Sequence, residues 1–167
     1  MSMTDDAVAA NGRFAESFKL GHIPAAPARK LAVVTCMDAR FNVEQALGLH
    51  TGDAHIIRNA GGIVTEDVIR SLVVSHYLLF TQEFMVINHT GCGQLTYRDE
   101  ELRARVQAFA GTAAVAPHSF YAFTDLAENV RQQVQKIRIH PWMPKQVTTR
   151  GFIYDVETGR LSEVYVA

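Results

Sequence analysis

The stretch that decides the fold is LAVVTCMDAR, residues 31–40. Its first six residues are almost wholly apolar, which is typical of a strand buried on both faces of a parallel sheet. Cys36 is the last of these six residues, and Asp38 and Arg40 follow it within four positions. The sequence therefore predicts a buried strand that carries reactive side chains at its carboxyl end.

A second apolar run, FMVINHTGC at residues 84–92, ends in the same way, with His89 and Cys92 at its tip. The chain has two cysteines in all; Cys36 ends one expected strand and Cys92 lies in the turn after another. In open α/β sheets, binding sites form at the carboxyl ends of the strands. If these two strands are neighbours, Cys36, His89 and Cys92 meet at one edge of the sheet.

Composition limits the classes of function. The 167 residues are 48% hydrophobic and 20% charged, as in an ordinary globular protein. A formal net charge of −1 predicts no nucleic acid and no membrane as a main partner. The polar N-terminus lacks the apolar segment of a secretory signal, so we expect a cytoplasmic protein. Two cysteines in such a protein are more often metal ligands or catalytic thiols than a disulfide.

Strand and helix patterns alternate along most of the chain, which predicts an α/β fold with a mostly parallel sheet. We expect one domain, 1–167, in which residues 1–30 form an N-terminal helical arm and a proline-rich connector. The expected strands are 31–36, 54–58 and 84–88, with a hairpin at 150–166. The expected helices are 4–20, 42–49, 65–80, 99–109 and 124–137.

Cysteine and histidine in this arrangement predict a zinc site, because Zn²⁺ binds thiolate sulfur and imidazole nitrogen in tetrahedral geometry. The spacing H-x-x-C lets His89 and Cys92 reach one ion from a single turn, and Cys36 supplies a third ligand. Three protein ligands with an exchangeable fourth position are the pattern of a catalytic site. That fourth position is left to water or to Asp38.

Other interpretations of these residues fit less well. A buried cysteine is often an inert small hydrophobic residue, but its placement next to Asp38 and Arg40 favours a site. A phosphatase-like loop is excluded because no glycine-rich segment lies between Cys36 and Arg40. A redox pair lacks the usual C-x-x-C spacing.

The segments CMDAR and HTGC resemble the signatures C-x-D-x-R and H-x-x-C of the β-class carbonic anhydrases. RNAGG at residues 58–62 is similar to a third block of that family, R-N-A-G. The resemblance is close over residues 31–97 and is strongest to the short members, which include hydrolases of carbonyl sulfide and carbon disulfide. It implies a four- to five-stranded, mostly parallel sheet flanked by helices. It also implies a homodimer or a higher homo-oligomer, in which the N-terminal helix packs on the partner.

The resemblance implies that Cys36, His89 and Cys92 bind Zn²⁺ and that Asp38 and Arg40 form a gating pair beside it. The implied reaction is hydration of carbon dioxide to bicarbonate by zinc-bound hydroxide. Hydrolysis of carbonyl sulfide or carbon disulfide, which releases H₂S, is the alternative with the same residues. A non-catalytic zinc module is a second alternative, but it has no need of the Asp38–Arg40 pair.

The substrate-binding residues are less closely defined by the sequence. Backbone N–H groups of Gly61 and Gly62 are candidates to bind a substrate oxygen, although both glycines equally suit a tight turn. Phe41 is a candidate to line the pocket, with core packing as its alternative. Gln94 is a candidate for the glutamine that larger members of the family use to bind substrate. Gly91 stands where many short members have aspartate, which leaves the substrate preference open.

Overall fold

A five-stranded sheet forms the centre of the computed structural model, which describes residues 2–111 and 117–167. The strands are β1 (Leu31–Cys36), β2 (Ala54–Asn59), β3 (Glu83–His89), β4 (Thr148–Tyr154) and β5 (Leu161–Val164). Their spatial order is β2-β1-β3-β4-β5. The first four strands pair in parallel and β5 pairs antiparallel to β4. The α/β class with a mostly parallel sheet is thus confirmed, as is the C-terminal hairpin.

One helix precedes β1, and the other α-helices lie between strands along the chain. The helices are α1 (Met3–Ser17), α2 (Val43–Leu47), α3 (Glu66–Tyr77), α4 (Asp99–Ala110) and α5 (Leu126–Ile139). Thr65 caps α3 through its side chain, as the sequence predicts. Two acidic residues follow in the first turn, where negative charge is favourable. The prediction that this helix continues to residue 80 was wrong, because Phe80 has the left-handed φ of 61° and the chain turns there. Within the described residues, no helix is long and apolar enough to cross a membrane.

Strand β1 is the most deeply buried part of the sheet. Ala32 and Val34 join a cluster with α3 and α5 on one face, while Val33 joins Phe41 and Ile87 on the other. This alternation follows the two-residue period of a strand, and both faces are apolar because helices or loops cover both. Cys36 therefore ends a strand that pairs with a strand on each side and is packed on both faces.

Helix α5 packs close to β4, where Gly151 leaves room for it. A Cβ atom on Gly151 would overlap the side chains of Val130 and Val134, so glycine permits the close approach. Helix α1 has no buried residue, as is also true of α4, whereas α3 and α5 each bury one face. The Phe14 and Phe18 rings lie 5.4 Å apart and are both exposed.

Candidate metal centre

The structure brings the three predicted ligands together at the carboxyl edge of the sheet. Strands β1 and β3 are neighbours, so Cys36 at the end of β1 lies near His89 at the end of β3. Cys92 follows in the turn after β3. The sulfur atoms of Cys36 and Cys92 and a ring nitrogen of His89 lie within 4.8 Å of one another, and all three residues are buried.

The orientation of the His89 ring is fixed by the backbone. Its Nδ1 atom lies 2.9 Å from the carbonyl oxygen of Thr90, which can only accept, so Nδ1 carries a hydrogen when it makes this bond. Its Nε2 atom is buried and has no hydrogen-bond partner among the described residues. An unpaired buried nitrogen beside two sulfurs is costly unless a metal binds it, so the residues fit a zinc ion.

The two thiols share a proton unequally. A hydrogen bond from Cys92, opposed by burial, holds the pKa of the Cys36 thiol well below its usual value. The same contact, together with burial, raises the pKa of Cys92. The backbone N–H of Gly61 also donates to Cys36 Sγ at 3.3 Å. These contacts favour the thiolate form of Cys36, which is the form of cysteine that binds metals.

Asp38 and Arg40 form a two-bond ion pair beside this cluster. Arg40 donates from Nε to Asp38 Oδ1 at 2.9 Å and from Nη2 to Oδ2 at 2.7 Å. These bonds, opposed by partial burial, keep the pKa of Asp38 well below its usual range, so the carboxylate is ionised. Arg40 Nη2 also donates to the carbonyl oxygen of Gly91 at 3.0 Å. The guanidinium thus joins the loop after β1 to the turn after β3.

Arg58 is a site residue whose role the sequence reasoning missed. It donates from Nε to the carbonyl oxygen of Cys36 at 2.9 Å and from Nη2 to that of Asp38 at 2.7 Å. A guanidinium can hold two carbonyls at once because its donors are fixed in one plane. The signal was present in the sequence, since Arg58 ends the expected strand 54–58 and sites form at the carboxyl ends of parallel strands.

The two glycines of RNAGG form a tight turn against the metal centre. Gly61 and Gly62 are buried and have φ of 83° and 62°, in the left-handed region. A Cβ atom on Gly62 would lie 2.8 Å from Asn88 Nδ2 and 3.0 Å from the backbone nitrogen of Cys36. Because the N–H of Gly61 donates to Cys36 Sγ, this contact favours a positioning role for Gly61 over direct contact with substrate.

Phe41 and Gln94 lie in packed surroundings. Phe41 is fully buried and its ring stacks on Tyr154 with centroids 4.1 Å apart, which favours the core-packing alternative. Gln94 donates from Nε2 to the carbonyl oxygen of Phe120 at 3.0 Å and accepts from the Tyr97 hydroxyl. Both polar ends of Gln94 are thus already bonded within the protein.

Comparison with known proteins agrees with the fold and the site. A family model described as carbonic anhydrase matches residues 31–161. The chain is 44% identical over 165 residues to β-carbonic anhydrase 1 of Mycobacterium tuberculosis, covering 98% of this chain and 99% of that protein. A carbonic anhydrase structure from Streptococcus mutans superimposes with a TM-score of 0.93 at 42% identity, covering 99% of each chain. The fold and the site thus define an enzyme of the carbonic anhydrase type.

A carbon disulfide hydrolase is also among the relatives. The enzyme of that name from an Acidianus species is 39% identical over 155 residues, covering 80% of this chain and 76% of that protein. Together these likenesses confirm the resemblance read from CMDAR, HTGC and RNAGG. The chain belongs to the β-carbonic anhydrase family.

Proposed function

We propose that this protein hydrates carbon dioxide to bicarbonate with a Zn²⁺ ion held by Cys36, His89 and Cys92. One observation carries the proposal: the three ligand atoms lie within 4.8 Å of one another, and Asp38 Oδ2 lies 3.6 Å from His89 Nε2. Bound zinc lowers the pKa of a coordinated water towards 7 and so supplies a nucleophile at neutral pH.

Asp38 orients the attacking water. Its carboxylate accepts a hydrogen bond from that water and so directs an oxygen lone pair at the carbon of the substrate. Because the contact with Arg40 keeps the pKa of Asp38 low, the carboxylate is a weak base at neutral pH. Asp38 therefore acts by orientation more than by storing a proton.

Arg40 keeps Asp38 in place. Its bonds to both carboxylate oxygens fix the rotation of the carboxyl group, and its bond to the Gly91 carbonyl fixes the guanidinium in turn. The pair thus controls what can approach the fourth position at the metal.

Hydrolysis of carbonyl sulfide or carbon disulfide is the alternative, supported by the carbon disulfide hydrolase among the relatives. The same residues serve both reactions, because the electrophiles differ only in sulfur for oxygen. We favour carbon dioxide because the likeness to β-carbonic anhydrase 1 covers 98% of this chain, against 80% for the carbon disulfide hydrolase. A non-catalytic zinc module does not fit a family of enzymes.

Kinetics on the zinc-loaded protein test this choice. We expect stopped-flow measurement to detect hydration of carbon dioxide, and we expect chelation to abolish it and added Zn²⁺ to restore it. Release of H₂S from carbonyl sulfide and carbon disulfide is measured on the same preparation. Fast H₂S release without hydration would establish the alternative, and inactivity on all three substrates would refute both.

We further infer that the protein is a homodimer in which α1 of one copy packs on the other. Helix α1 buries none of its residues and exposes Phe14 and Phe18. An apolar groove between α3 and residues 140–142, lined in part by Val73, Val74 and Trp142, is a surface of matching character. Light scattering after size exclusion should give a dimer, and Phe14→Ser with Phe18→Ser should give a monomer. A monomeric wild-type chain would contradict the inference.

A further inference from the structure

A chain of buried amide side chains connects helix α5 to the glycine turn beside the metal centre. Gln133 donates to Asn129, Asn129 donates to Asn88, and Asn88 donates to the carbonyl oxygen of Gly61, each at 2.8 Å. The side chains are almost fully buried, with exposed fractions of 2%, 5% and 1% for Gln133, Asn129 and Asn88. We refer to Gln133, Asn129 and Asn88 as the amide chain.

Backbone groups at both ends fix the direction of the amide chain. The N–H of Val64 can only donate, so Gln133 presents Oε1 to it, at 2.9 Å. The carbonyl of Gly61 can only accept, so Asn88 presents Nδ2 to it. Each amide between these ends then has one orientation that satisfies its neighbours. A buried polar network that is satisfied throughout is rigid and tolerates no reversed member.

Both ends of the amide chain hold the same short segment, residues 61–64. Asn59 also binds this segment, because its side chain accepts from the N–H of Ile63 and donates to the Ile63 carbonyl, both at 2.8 Å. Without such restraints a pair of adjacent glycines would be the most flexible dipeptide available. The segment is fixed instead, and its first N–H points at Cys36 Sγ.

We propose that Asn129 and Gln133 are positioning residues for the metal centre. Through Asn88 they hold Gly61 so that its N–H stays on the sulfur of Cys36. The inference rests on the proposed function, since it requires that Cys36 bind the metal. A hydrogen bond donated to a ligand sulfur lowers the electron density that the sulfur donates to the metal. Contacts of this outer kind typically alter metal affinity or activity about 10- to 100-fold.

A purely structural role for the amide chain predicts a different result. Buried amides need partners in any protein, and removing one lowers stability wherever it lies. A positioning role predicts in addition a changed metal centre in protein that is still folded. The two roles are therefore separated by a spectroscopic signal from the metal and its ligand sulfur, measured beside the stability.

Two variants and one control make the test. Asn129→Asp keeps the shape of the side chain but removes the donor that faces Asn88. Gln133→Glu removes the donor that faces Asn129, and its new charge lies near Lys136, whose Nζ is 3.2 Å from Gln133 Oε1. This second variant keeps the test decisive if the first does not fold. Val130→Ala is the control, because Val130 is fully buried on the same helix and packs on Gly151.

The readout uses cobalt(II) in place of zinc in the full-length protein. We expect both amide variants to shift the thiolate-to-cobalt absorption band and to release cobalt to a competing chelator about 10-fold more readily. Val130→Ala should lower the melting temperature without moving the band. An unchanged band and affinity in the folded amide variants would overturn this inference alone. Failure of the wild-type protein to bind cobalt or zinc would overturn the proposed function and this inference with it.

Discussion

The Nε2 atom of His89 lies 3.6 Å from Oδ2 of Asp38, although the two residues come from different strand ends. This contact joins the half of the site that follows β1 to the half that follows β3. The proposed metal ligands and the carboxylate proposed to orient water therefore lie side by side, and a substitution in either half of the site should affect the other half.

Replacement of His89 by alanine should remove the metal. The Nε2 atom is the one buried side-chain nitrogen or oxygen that lacks a partner within the described residues, and the thiols alone leave the site incomplete. We expect zinc affinity to fall more than about 100-fold, which is beyond the usual effect of an outer contact. Zinc content after dialysis measures this. His50→Ala, a change at an exposed ring, is the control and should retain zinc. Full occupancy in His89→Ala would refute the ligand assignment.

Asp38→Asn should lower turnover while zinc stays bound. The amide keeps the size of the side chain but loses the charge that pairs with Arg40 and accepts from water. Because a poorly oriented reactant can cost about 100-fold in rate, we expect kcat to fall by about that factor. Asp67→Asn provides the matched control, since Asp67 pairs with Arg70 in an exposed ion pair on α3. Unchanged kcat across pH in Asp38→Asn would remove Asp38 from the mechanism.

Arg58→Lys should impair the site although the charge is kept. An ammonium group cannot reproduce the paired bonds to the carbonyls of Cys36 and Asp38. We expect kcat to fall about 10-fold, because both residues lose a shared support. Steady-state kinetics and zinc content together measure the change. Arg105→Lys on the exposed surface of α4 should have no effect, and equal kinetics for the two variants would argue against a supporting role for Arg58.

Gly62→Ala and Gly12→Ala should change stability in opposite directions. At Gly62 the φ of 62° disfavours alanine, and a Cβ would lie 3.0 Å from backbone atoms of Thr35 and Cys36. We expect a loss of about 2 kcal/mol or more in the free energy of unfolding. At Gly12, inside α1, a Cβ meets nothing within 4 Å, so alanine should stabilise the helix by up to about 1 kcal/mol. Denaturant titration measures both, and similar values for the two would contradict the prediction.

Asp99 should make the stability depend on acid pH. Burial alone would raise the pKa of its carboxyl, but bonds from the Ser119 hydroxyl and the N–H groups of Ala122, Phe120 and Tyr121 lower it to about 2. The ionised group is therefore favoured by folding. Its contribution is complete above the unfolded pKa of about 4 and is lost as the pH falls towards 2.

The variant that tests this is Asp99→Asn. We expect it to cost about 1 kcal/mol at pH 7, which is below the roughly 1.5–3 kcal/mol of a bond to a charged group because Asp99 is partly exposed. The difference from the wild-type protein should shrink at pH 3. Glu100→Gln changes an exposed acid of the same helical turn and is the control. A difference that does not depend on pH would show that the charge of Asp99 is not responsible.

Much of the fold could be predicted from local patterns. Strand β1 is a continuous apolar run, and α3 begins with a threonine cap and two acidic residues, so both starts are visible in the sequence. The end of α3 was not visible in the sequence. The chain turns at Phe80 with a left-handed backbone conformation, which phenylalanine rarely adopts. Nothing in the local sequence marks such a position.

The site was predictable as far as it follows from strand ends. Cys36 and His89 each end an apolar run, and neighbouring parallel strands bring such ends together. The support of the site was not predictable in the same way. Asn129 and Gln133 lie on a helix far along the chain, and their partners are the backbone N–H of Val64 and the side chain of Asn88 on β3. Only the assembled fold defines those contacts.

The parallel pairing of β1 with β3 has a consequence for how the protein folds. Strand β2 and helices α2 and α3 lie between these two strands along the chain, so their pairing closes a long loop. Contacts between distant parts of a chain form slowly, because loop closure costs entropy before the contact can stabilise it. This pairing brings the proposed ligands Cys36 and His89 together in the folded structure. The rate of metal binding during refolding should therefore report how fast β1 and β3 pair.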